Sequence, residues 1–61
     1  MHYYIHTAHS GWHEVNRKYY REFIDCLRMV AKDSATAETM IAEHTRKSEI
    51  PLDINELMNG G

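Results

Sequence analysis

The chain has 61 residues, 43% hydrophobic and 26% charged, with a formal net charge of −2. That balance excludes wholesale disorder, the uniformly basic surface of a dedicated nucleic-acid binder, and more than one domain. The single cysteine cannot form an internal disulfide and no apolar run approaches the ~18 residues of a membrane span, so the reading is one cytoplasmic domain over 1–61.

Charge is divided along the chain. Residues 1–32 carry five basic and three acidic side chains, net +2, whereas residues 33–61 carry six acidic and two basic ones, net −4. Opposed charge of this kind favours folding the second half back on the first, or antiparallel pairing of two copies.

Residues 1–11 are ambiguous. Tyr3, Tyr4, Ile5 and Thr7 favour a strand, and Ser10-Gly11 is a natural break. Met1, Ile5, Ala8 and Trp12, however, keep the steps of four and three that suit a helix face. Alternation is poor, because Tyr3 and Tyr4 point to opposite sides of any strand, so helix is the preferred reading. The fold class expected is therefore all-α, a small hairpin or bundle of one long and two shorter helices. The alternative is an α+β chain with an N-terminal strand at about 2–8.

Helix 1 is expected over 12–31, capped by Ser10. Trp12, Val15, Tyr19, Phe23, Cys26 and Val30 recur at three and four, with Leu27 widening the stripe. Glu14, Arg17, Lys18, Arg21, Asp25, Arg28 and Lys32 take the opposite face. Asp33-Ser34 breaks the helix and caps a second one over 35–47, whose apolar side is Ala37, Met40, Ile41 and His44. Pro51 bars helix through Ile50-Pro51. Asp53 and Glu56 then have the spacing of a capping box, with Leu52 and Leu57 placed as a hydrophobic staple, for a short helix 3 over 54–58 and a flexible tail at 59–61.

No motif carries catalysis: the chain lacks a glycine-rich phosphate loop, a Ser-His-Asp arrangement and a recognisable carboxylate pair. It is not expected to be an enzyme or to need a cofactor. Cys26, between Phe23 and Val30, reads as a small core residue, with His44 directed towards the same core. His2, His6, His9 and His13 would form one ridge on a continuous helix and are the only metal candidates, yet a polar flank beside the apolar stripe is the plainer reading.

The stripe points to association. Helix 1 offers more apolar surface than its short companions can hide, and aromatic side chains bury about 150–250 Å² each. The expectation is a small helical regulator, adaptor or inhibitor of the kind a phage or mobile element encodes. It would bind a protein partner or a second copy through Trp12, Tyr19, Tyr20 and Phe23. The alternative is a DNA- or RNA-binding regulator that meets phosphates with Arg17, Lys18, Arg21 and Arg28. A helix-turn-helix of the second and third helices would have no basic residue in its recognition helix at 54–58, and an N-terminal strand followed by two helices would present His and Tyr in place of Arg, Lys or Gln.

Overall fold

A computed structural model describes residues 1–58; the tail at 59–61 lies outside the described residues. The fold is mixed α+β, and the all-α expectation is overturned. Strands β1 (His2–Thr7) and β2 (Gly11–Val15) precede helices α1 (Arg17–Val30) and α2 (Ser34–His44), followed by β3 (Thr45–Ser48) and α3 (Ile54–Met58). The strands form one antiparallel sheet in the order β2-β1-β3.

The first two strands are a hairpin in which Tyr3 faces Val15, Ile5 faces His13 and Thr7 faces Gly11. Ala8, His9 and Ser10 form the connection, where the Ser10 N–H donates to Thr7 Oγ1 at 3.1 Å. Gly11, the first residue after that connection, has φ +68°, a left-handed conformation that glycine adopts without steric cost. A Cβ there would meet nothing within 4 Å, so the backbone and not crowding calls for glycine. That conformation interrupts any helix through Gly11, and Trp12 and Val15 consequently lie in a strand.

Asn16 starts α1, its Oδ1 accepting from Tyr19 N–H at 2.8 Å. Asp33 caps α2 in the same way, through Thr36 N–H at 2.8 Å. The second helix ends at His44, three residues before Lys47. Thr45 is already extended, and its hydroxyl donates to Ile41 O at 2.6 Å as β3 begins without a connecting loop. In the sheet Thr45 faces Ile5 and Arg46 faces Tyr4.

Residues directly opposite each other share a face of the sheet. One face carries Tyr3, Ile5, His13, Val15 and Thr45, and α1 and α2 pack on it; the Tyr3 and Tyr20 rings lie 4.8 Å apart. The other carries His2, Tyr4, His6, Trp12, Glu14 and Arg46. There α3 packs on β2, and the Tyr4 hydroxyl accepts from Leu52 N–H at 2.9 Å. The central strand is thus covered on both sides, and Tyr4 and Ile5 are its two fully buried side chains. Tyr20, Ala37 and Thr45 complete a small core. No helix among the described residues is long and apolar enough to cross a membrane.

Candidate functional site

The first helix carries two apolar ridges, one residue out of step. Tyr20, Ile24, Leu27 and, at the C-cap, Ala31 form the inner ridge, all buried or half-buried. Tyr19, Phe23, Cys26 and Val30 repeat the same four-three-four spacing about 100° round the helix. This outer ridge is largely uncovered: Tyr19 is 53% and Val30 66% exposed, Cys26 is exposed and Phe23 half-buried. A shallow depression along it is lined by Tyr19, Glu22, Phe23 and Cys26, with no residue of another element.

The opposite flank of α1 is basic. Arg17, Arg21 and Arg28 are exposed there, and Lys18 lies farther round with Glu22 and Asp25 as neighbours. At its C-terminal end this flank turns towards α2, where Arg28 and Ala31 line a groove with Ala37 and Glu38. Arg28 and Glu38 thus border the same groove, but among the described residues no ion pair joins the two halves of the chain.

The four aromatic residues expected to form one binding patch are divided three ways. Tyr20 is buried against Tyr3. Trp12 belongs to β2 and lies on the sheet face away from α1, because it faces His6 across the hairpin. Only Tyr19 and Phe23 remain together. Cys26 is correspondingly not a core residue but an exposed free thiol. Both DNA-binding arrangements are also corrected, since β3 separates α2 from α3 and a hairpin precedes α1.

The histidines do not form a helical ridge. A strand sends His2 and His6 to one face and the hairpin sends His13 to the other, while His9 sits exposed in the connection. His2 Nδ1 lies 2.8 Å from Glu14 Oε2, an exposed pair of little energetic weight. His13 Nδ1 lies 3.0 Å from Gly11 O; a carbonyl only accepts, so that nitrogen carries the proton. Among the described residues no group of three or more His, Cys, Asp or Glu side chains is placed to hold a metal ion.

A second cluster was not apparent in the sequence. His6, Trp12, His44 and Arg46 gather at the end of the sheet face that carries α3. The His6 ring lies 5.3 Å from Trp12 and 5.4 Å from His44, centroid to centroid. The Arg46 guanidinium stands 5.2 Å over the indole, close enough for a cation–π attraction. Its Nη1 also donates to the carbonyls of Ala42 and Thr45 at the C-terminal end of α2, the negative end of the helix dipole. His44 is thereby placed over the sheet against His6, and not towards Cys26.

Comparison with protein-family models, curated proteins and solved structures finds no match. The expected regulator from a compact genome accordingly draws no support from relatives.

Proposed function

We propose that the chain is a protein-interaction module without chemistry of its own, docking through the outer ridge of α1. The exposure of Tyr19, Cys26 and Val30 beside half-buried Phe23, with no other element lining that strip, carries the reading. The surface it fits first is that of a second copy. In an antiparallel pairing centred between Phe23 and Cys26, Tyr19 of one copy meets Val30 of the other, and Phe23 meets Cys26. Large side chains then oppose small ones at every step, and the contact is isologous. Two aromatics and two small residues cover less than the about 800 Å² per partner of a standard interface, so the dimer is weak and exchangeable. A heterologous partner with a complementary helix would compete for the same strip. The free thiol of Cys26 on this exposed ridge favours a reducing compartment, and we place the chain in the cytoplasm.

Sedimentation over a concentration series is the test. Association should rise with concentration, depend little on salt, and disappear in Tyr19→Glu plus Val30→Glu while the far-ultraviolet spectrum is retained. Strict monomers at every accessible concentration would remove the second copy as occupant.

The exposed Arg17, Arg21 and Arg28 flank supports a second reading, phosphate contact with a nucleic acid. Retention of a duplex or single-stranded probe, lost steeply with salt and abolished by Arg17→Glu plus Arg21→Glu, would favour it over docking.

A further inference from the structure

We infer that His6, His44 and Arg46 form an acid-sensitive latch that holds β3 and the end of α2 against β1. This device is independent of the α1 ridge. Extending the β1–β3 register one step beyond Ile5 and Thr45 sets His6 opposite His44, and His6 faces Trp12 on its other side. The three side chains thus form a row across the sheet, and the Arg46 guanidinium stands over the indole at its far end. His6 Nδ1 and His44 Nδ1 are 3.3 Å apart, and both rings are half-buried. A hydrogen bond between two imidazoles needs a proton on one nitrogen and a lone pair on the other. A single proton between the two Nδ1 atoms satisfies that contact. When both Nδ1 atoms carry one, no acceptor remains.

Protonating both rings therefore turns an attraction into a repulsion. Like charges directly opposite on neighbouring strands are destabilising, and the Arg46 guanidinium adds a third positive charge to the cluster. Little nearby offsets it. The carbonyl end of α2 favours a cation, but the Ala42 and Thr45 carbonyls there already accept from Arg46 Nη1. His2 of β1 and Glu14 of β2 are engaged with each other, and Lys47 of β3 faces Tyr3 on the other side of the sheet. Glu43, next to His44 on α2, is exposed, as are Asp53 and Glu56 at α3. On the far side, Arg28 of α1 borders the groove with Glu38. Among the described residues no carboxylate makes an ion pair with either ring. Separated rings both take up protons as pH falls through the ordinary histidine value of about 6.5, whereas the closed contact has room for one between them. The open form then binds more protons, so the latch holds above that value and loosens as pH falls below it. Because β3 follows α2 with no loop, parting the rings frees the four-residue edge strand itself.

Amide hydrogen exchange of the full chain at about pH 7.5 and about pH 5.5, on either side of the ordinary histidine value, tests the latch once intrinsic rates are corrected for. Protection of Thr45–Ser48 should fall roughly threefold or more in acid, the effect of one hydrogen bond lost and one like-charge pair gained. Protection of Gly11–Val15 should hold. His44→Gln keeps a polar side chain that never charges, and should give Thr45–Ser48 equal protection at both pH values. His9→Gln should retain the loss seen in the parent. Imidazole NMR should place that loss at the titration of His6 and His44. Unchanged protection in acid overturns the proposal, as do a loss that persists in His44→Gln, a loss shared equally by Gly11–Val15, and one that follows His2, His9 or His13 instead. Should His44→Gln not fold, the match or mismatch between ring titration and β3 exchange in the parent chain decides.

Discussion

The inner and outer ridges of α1 share a spacing and differ by a single residue, yet one is core and the other surface. Tyr20 is 9% exposed and Tyr19 is 53% exposed, although the two are adjacent and chemically identical. The difference lies in what the hairpin brings up to them. Tyr3 stands on the face of β1 that α1 covers, and its ring meets that of Tyr20 at 4.8 Å. No element reaches the strip beside Tyr19. Burial on this helix is thus set by the position of β1, a partner far outside its own periodic pattern, and amphipathicity alone does not say which apolar line is inside.

Substitutions at the two tyrosines should separate the ridges most sharply. Tyr20→Ala should cost about 3–5 kcal/mol, the range for removing a buried aromatic. At roughly 0.05–0.15 kcal/mol per residue, 61 residues hold about 3–9 kcal/mol, so the loss is at least a third of the total and urea titration should find a far lower midpoint. Gly11→Ala should come next, at about 1 kcal/mol, because it strains the φ +68° residue that closes the hairpin presenting Tyr3 to the inner ridge. Its association through the outer ridge, measured where it is folded, should match that of the parent. Tyr19→Ala should shift the unfolding midpoint by no more than about 0.5 kcal/mol while weakening self-association. Equal losses at Tyr19 and Tyr20 would erase the distinction.

The smallest effect concerns Asp33, whose cap holds the start of α2 beside the end of the inner ridge. The hydrogen bond from the Thr36 backbone N–H, followed by that from the Thr36 side chain, holds its carboxyl below the ordinary value of 3.8. As pH falls the unfolded chain takes up the proton first. The stabilisation is therefore present above about 3.8 and is lost as pH falls through the lower folded value. Asp33→Asn keeps a cap acceptor without the charge. The stability difference between parent and variant should be level from neutral pH to mild acid and shrink in strong acid.

Much of the helical half was readable from the chain. The Asp33 side chain caps α2, and α3 occupies Ile54–Met58 directly after Asp53, whose carbonyl accepts from Glu56 and Leu57 N–H. These are local interactions written in neighbouring residues. The sheet was harder to see. Its central strand is buried on both faces around Tyr4 and Ile5, so it lacks the alternation of a half-buried strand. Met1, Ile5, Ala8 and Trp12 happen to repeat at helical intervals, and only the left-handed Gly11 breaks the coincidence. The third strand, Thr45–Ser48, shows Arg and Lys where an apolar pattern would betray it; charged side chains are how an edge strand avoids further pairing. The contact of His6 with His44 depends on β1 pairing β3 across most of the chain, and nothing local encodes it.

The direct passage of α2 into β3 leaves the molecule no slack at that joint. Inserting one amino acid between His44 and Thr45 would either turn the whole of α2 by about 100° or send every β3 side chain to the wrong side of the sheet. The imidazoles would then part company, and Arg46 would lose its seat over Trp12. Lengthening is better absorbed at Ala8–Ser10, where the backbone only has to reverse direction. Tags, loops and fused peptides belong at that bend.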